Sequence, residues 1–203
     1  HRITDYVSRL QARGSAGSVA PNVLTLGGGS QDYREPFAGD ISLSSANPLA
    51  AGRKYLIFAP GRNVTITSNI EYAASAGSFA AAPSVIIVAN NIQIQSNVSR
   101  VDAVLYAVNA ISTCAEAGQT RATLPSPATP ISVGGACELN QLKINGAAIG
   151  RTLYTPRVNG GANASQPPAE VFILRPEAFL EPYESNLTSM ILKTDVETEL
   201  PPR

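Results

Sequence analysis

The apolar and polar positions of this chain say nearly the same thing twice. Tyr55 to Ile70 reads YLIFAPGRNVTITSNI, and Ser84 to Val98 reads SVIIVANNIQIQSNV. Laid over each other with a two-residue gap, Ile57 falls on Ile87, Ala59 on Ala89, Asn63 on Asn91 and Ile66 on Ile94. Ser68 and Asn69 likewise fall on Ser96 and Asn97. Each copy is an apolar run, a polar corner, and then strict alternation in VTIT or IQIQ, which gathers the apolar side chains on one face. Neither copy can bury that face alone, so the recurrence predicts stacked rungs of a solenoid.

A third apolar run, VDAVLYAVNA (Val101 to Ala110), continues the series: Ile86 is 18 residues from Val104, and Ile92 is 19 from Ile111. One turn of a parallel β-helix takes roughly this length, at about 3.3 Å per strand residue plus corners. No Asn-Gly or Asp-Gly turn joins the runs, which disfavours hairpins. LKINGAAI (Leu142 to Ile149) echoes VTITSNI and IQIQSNV, and RTLYTPRV (Arg151 to Val158) reads as the last rung-like strand. The expected fold is all-β: a right-handed parallel β-helix, a short solenoid of about three to five rungs. It spans residues 51–158, with loop insertions at 71–83 and 114–137.

Residues 1–50 are expected to flank or cap one end. Ile3, Tyr6, Val7 and Leu10 share one face at helical spacing with Thr4 as a cap, suiting a short helix packed over the end of the core. VLTL (Val23 to Leu26) and DISLSS (Asp40 to Ser45) are small strands. The GGGS between them, followed by QDYREPF without a helical period, is a flexible turn rather than a phosphate loop. Residues 159–203 hold a Gly/Asn/Pro linker, the strand AEVFIL and a tail. Prolines at 176, 182, 201 and 202 suggest that this tail is laid along a surface.

Composition narrows the function. Charged residues are 15% of the 203 and the formal net charge is zero, which argues against nucleic acid, whose phosphates demand a surplus of Lys and Arg. The most apolar window, Ser78 to Ala89, is too short for a membrane span and contains a proline. The chain starts at His1 rather than Met, so a processed product or fragment is expected. Its two cysteines, Cys114 and Cys137, are expected to join and close a Pro/Ala/Thr loop. In the chain-entropy model such a loop contributes ~3 kcal/mol.

Candidate chemistry is sparse. His1 is the sole histidine, so histidine triads and His-bearing zinc sites are not expected, nor is any cofactor or metal. Glycoside hydrolysis needs two facing carboxylates, and Asp102, close to Arg100, is the one carboxylate inside the repeated part. A corner ion pair is the expected role of those two. Asn63, Asn69, Asn91 and Asn97 sit at rung corners, where Asn tolerates left-handed backbone and can stack as a side-chain ladder. Sequons at Asn63 and Asn97 read better as corner chemistry than as glycan acceptors, while Asn163 and Asn186 stay open as acceptors. Tyr55, Tyr72, Tyr106 and Tyr154 offer themselves as glycan-facing aromatics.

The succession AGRKYLIF, NVTITSNI, VIIVANNIQIQSNV, VDAVLYA, a cysteine-bounded loop, LKINGAAIGRTLY and PAEVFILRPEAFL…TELPPR resembles a group of short parallel β-helix surface proteins of candidate-phylum, small-genome bacteria. The resemblance covers about residues 50 to 203 and implies an extracellular or cell-surface location with a structural or adhesive role. It brings no catalytic residues. A weaker likeness is to bactofilin-type polymer-forming β-helices, whose glycine-rich rung pattern is not reproduced. A short solenoid leaves strand edges at both ends, and such edges pair with another chain unless covered. The expectation is thus a non-enzymatic subunit of a surface filament or layer, a homo-oligomer assembling by end-to-end stacking or terminal strand exchange. A monomeric carbohydrate-binding adhesin that meets a surface glycan is the alternative. A β-helix polysaccharide lyase or hydrolase built around Arg100 and Asp102 comes third.

Overall fold

Most of the described strands form where an apolar run or a strict alternation stands in the sequence, and all of them pair in parallel. The structure is a computed structural model and describes residues 19–46, 48–73, 83–115, 141–157 and 168–174. Its strands are β1 (Val23–Leu26), β2 (Gln31–Arg34), β3 (Ile41–Ser45), β4 (Lys54–Ile66), β5 (Ser84–Gln95), β6 (Arg100–Ala115), β7 (Leu142–Tyr154) and β8 (Glu170–Leu174), with no helix among the described residues. They join one sheet in the order β1-β3-β4-β5-β6-β7-β8, with β2 beside β4. The fold is all-β and solenoid-like.

The long strands bend, so the pairing resolves into three ladders. In the first, β2 pairs with the start of β4, then come the start of β5, the middle of β6 (Val104 to Ala107) and the middle of β7 (Ala147 to Gly150). The second stacks β1, β3 and the ends of β4, β5, β6 and β7. The third runs from Leu49 through Ile70 and Tyr72 to the starts of β6 and β7, and ends on β8. The corner between the first and second ladders is visible as register shifts. β4 spends three residues on it (Pro60 to Arg62), β5 one (Asn90), β6 two (Val108 and Asn109) and β7 one (Arg151).

Inward-pointing residues of the ladders form one core: Ile57, Ile87 and Leu105 from the first, Leu43, Ile66 and Ile94 from the second, Ile70, Val101 and Ile144 from the third. Burying an aliphatic side chain of this size contributes about 1.5–3 kcal/mol. Parallel sheets are stable where both faces are covered, and in the first ladder the outer face is buried as well. Leu56, Phe58, Ile86, Val88, Val104 and Ala147 form that second cluster.

Several expectations change. The register Ile57↔Ile87, Asn63↔Asn91 and Ile66↔Ile94 is as the repeat gave it, and so are Ile86↔Val104 and Ile92↔Ile111. The segment after Gly27, however, is not merely a turn. Gln31–Arg34 forms β2, with Arg34 buried against Phe58 (5.8 Å to the ring centre) and paired with Asp32. With β1–β3 in the same sheet, the solenoid-like part begins well before residue 51. LKIN does not stack on VTIT and IQIQ. Lys143 to Asn145 pairs with Arg100 to Asp102 in the third ladder, because the chain turns at Gly146 (φ 150°) before running on as the same strand through RTLY. Tyr55 is not glycan-facing: it is fully buried in the core beside Ile57, its hydroxyl donating to the Gly28 carbonyl. The expected N-terminal helix, most of both loop insertions, Cys137, Asn163, Asn186 and the tail lie outside the described residues.

Candidate functional site

Polar side chains concentrate where the ladders meet, and each corner has its own chemistry. Between the first and second ladders the amides run head to tail. Asn63 gives its backbone N–H and its Nδ2 to the Asp40 carboxylate (3.0 and 2.8 Å), Asn91 and Asn90 give their Nδ2 to Asn63 Oδ1 (2.6 and 3.4 Å), and Asn109 donates to Asn90. Every amide along this line donates toward Asp40, so the dipoles add and polarise one another. Asn63 and Asn91 thus stack directly. Asn69 and Asn97 do not: Asn69 Oδ1 accepts from the backbone of Ser99 and Arg100, while Asn97 donates to the Thr67 carbonyl. Between Ile66↔Ile94 and Ile70↔Val101 the second copy carries three extra residues, so Asn97 falls out of line with Asn69.

The corner between the third and first ladders holds the Arg100–Asp102 pair. Asp102 is 0% exposed and Arg100 Nη2 lies 2.8 Å from its Oδ2. The carboxylate also accepts from Arg100 Nε (2.9 Å), the backbone N–H of Tyr72 (2.9 Å) and Asn145 Nδ2. Hydrogen bonding to Asp102 is the chief cause that raises the Arg100 pKa above its usual value. An enclosed carboxylate that accepts four hydrogen bonds is an anchor that ties three rungs together.

A second buried charge cluster was not legible in the sequence. Arg157, just past β7, is buried and donates from Nε to the Thr113 carbonyl (2.8 Å) and from Nη2 to the Gln95 carbonyl (2.9 Å). Glu170, which opens β8, accepts from the Thr113 hydroxyl (2.6 Å) and the Arg157 backbone N–H (3.0 Å). Burial lowers the Arg157 pKa to about 10 and raises that of Glu170, whose Oε2 is buried without a hydrogen-bond partner. Nothing local marks these residues, since their partners lie up to 62 positions away.

For Glu170 the sign of the pH dependence follows from the direction. An acid whose folded pKa lies above its unfolded value favours folding most when protonated, and that contribution is lost as pH rises through the folded pKa. Glu170→Gln is therefore expected to gain stability relative to the parent as pH rises upward from the ordinary carboxylate range. Urea unfolding of both chains across that window checks it, and a difference independent of pH refutes it.

The remaining aromatics do not share a face. Tyr72 lies in the third ladder, its hydroxyl accepting from the Val85 N–H; Tyr106 sits half-buried on the outer face of the first, where burial raises its pKa; Tyr154 ends the second. Cys114 is buried at the end of β6. No group of acidic, His and Cys residues suited to a metal occurs among the described residues, and no described helix is long and apolar enough to cross a membrane.

The two ends of the sheet are the other candidate site. β1 pairs only with β3, and β8 only with β7, so each presents an unpaired parallel edge among the described strands. Exposed apolar side chains mark both: Val19 and Val23 at one end, Leu153, Phe172, Ile173 and Leu174 at the other. No protein-family model matches the chain, and neither the curated proteins nor the solved structures contain a match.

Proposed function

We propose that the chain is a right-handed parallel β-helix serving as a non-enzymatic subunit of an extracellular filament or surface layer. The observation that carries this reading is the pair of parallel edges that no other described strand covers, each bordered by exposed aliphatic or aromatic side chains. The edges differ, so the contact between copies is head to tail, and a head-to-tail contact that does not close propagates as a fibre. Stacking extends the ladders directly, or a terminal strand is exchanged. The enclosure of Asp102 supports a role without catalysis. An oxidising location goes with a Cys114–Cys137 bond. Intact-mass measurement after alkylation without reductant should then find neither thiol modified, and two added groups would remove the bond.

Electron microscopy and sedimentation over a concentration series test the assembly. Fibres or sheets whose mass grows with concentration are expected. Leu153→Lys with Phe172→Lys places charge on one exposed edge without touching the core. It should shorten the assemblies severalfold and leave the circular dichroism spectrum unchanged. Dispersed monomers at every concentration would overturn the reading in favour of a monomeric carbohydrate-binding module.

A further inference from the structure

The last rung of the third ladder carries an acid in line with apolar side chains. Leu142↔Glu170 and Ile144↔Phe172 are in register, and Leu142 and Ile144 belong to the core. Partners in a parallel ladder present their side chains to the same face, so Glu170 and Phe172 stand on the core side. Apolar packing does little to hold β8: Phe172, Ile173 and Leu174 are 44%, 43% and 67% exposed, and among the described strands only β7 pairs with it. Glu170 supplies the side-chain tie. Its Oε1 accepts from the Thr113 hydroxyl of β6 (2.6 Å) and from the Arg157 N–H (3.0 Å), while Oε2 is buried without a hydrogen-bond partner. The Thr113 hydroxyl also reaches the Tyr154 carbonyl (3.1 Å). Desolvation outweighs the attraction of Arg157, so burial pushes the Glu170 carboxyl above its usual range. Arg100, Asp102 and Lys143 stand in the columns under Val171 and Ile173, on the other face of the ladder.

We propose that β8 is a latch worked by pH: it lies on β7 while Glu170 carries a proton and lets go when Glu170 ionises. Ionisation puts a charge on the core side of the ladder, with one oxygen that no donor meets. A buried ionised oxygen without a donor costs more than a neutral one. β7 does not depend on this contact, because β6 pairs with it from Lys143 to Tyr154. The folded carboxyl lies above its unfolded pKa, so docking is fully favoured below the ordinary carboxylate range and weakens as pH rises through the raised value. Arg157, lowered to about 10, keeps its charge across that window and adds no pH dependence to it. Release uncovers Leu142–Gly146 as a further parallel edge, to which a strand of a second copy can add. That consequence rests on the assembly proposed above; the latch does not.

Hydrogen exchange read by mass spectrometry, on the full chain held dilute and monomeric, tests the latch. After correction for the intrinsic pH dependence of exchange, the amides of β8 and of Leu142–Gly146 should lose protection roughly tenfold between about pH 4 and about pH 8, while those of β4 and β5 keep theirs. Glu170→Gln, its fold checked by circular dichroism, should remove that pH dependence. Protection that does not change with pH in the parent, or that changes equally in Glu170→Gln, would overturn the proposal. The parent profile alone decides it should the variant not fold. Sedimentation at high concentration reads the consequence. Assembly stronger at the higher pH in the parent and indifferent to pH in Glu170→Gln is expected, and assembly stronger at the lower pH would overturn it. Dispersed monomers at both would remove the assembly reading and leave the latch, which exchange reads on monomers.

Discussion

Gly146→Ala is expected to be the most damaging single-methyl substitution in the described chain, costing roughly 3–5 kcal/mol. Gly146 turns β7 from the third ladder into the first with φ at 150°, a backbone region that is nearly glycine's alone. A Cβ at this position would stand 2.1 Å from the Ala103 carbonyl oxygen and 2.7 Å from its carbon. That atom belongs to the neighbouring strand's backbone, paired with Gly146 itself, so it cannot swing aside as a flexible side chain would. Relief requires opening the corner between β6 and β7, where the Asp102–Asn145 bond also lies. Against a total stability of about 5–15 kcal/mol such a loss is a large fraction. Urea unfolding followed by circular dichroism measures it. Gly28→Ala is the control, because nothing lies within 4 Å of a Cβ there, and its effect should stay within about 0.5 kcal/mol. A Gly146→Ala variant within about 1 kcal/mol of the parent would mean that the corner is built differently.

That same glycine marks where sequence reading stops. The register of β4 on β5 was legible because the two strands carry the same words, and like residues stack on like when rungs repeat. LKIN has the same alternation, but alternation says which side chains share a face and not which ladder they join. Gly146 assigns LKIN to the third ladder, and a lone glycine in a strand pattern does not announce a corner. β2 was illegible for a different reason. QDYR has no apolar alternation; it is a strand because β4 offers an edge and because Arg34 can lie over Phe58 while paired with Asp32. Tyr55 shows the reverse error, in which a residue type outweighed parity. It alternates with Ile57 and Ala59, all three inward, and a buried phenol is tolerated because its hydroxyl finds the Gly28 carbonyl. Of the candidate site, the Arg100–Asp102 pair and the Asn63–Asn91 stack could be read from adjacency and repetition. The Arg157–Glu170 cluster depends on long-range closure and could not.

Asp102→Ala is expected to cost about 2–4 kcal/mol. Its side chain is wholly enclosed, and its loss leaves the Tyr72 N–H and the Asn145 amide without their acceptor in a dry corner. Removing one partner of a fully buried ion pair usually costs about 3–5 kcal/mol, but Arg100 is 36% exposed and can turn its guanidinium to water, which trims the figure. Asp102→Asn should also destabilise. It keeps the shape yet turns an NH2 group toward donors from Arg100 or Tyr72, so one bond becomes a clash of hydrogens. A double-mutant cycle with Arg100→Ala separates the parts. The ion pair itself should account for only about 1 kcal/mol of coupling, with the remainder of the Asp102→Ala loss surviving when Arg100 is already gone. That remainder is the worth of one carboxylate holding three rungs in register. It should respond little to salt, because the acceptor is shielded from solvent. If Asp102→Asn instead folds as stably as the parent and abolishes a glycan-cleaving activity found in it, the carboxylate belongs to an active site, and the structural reading of this corner fails.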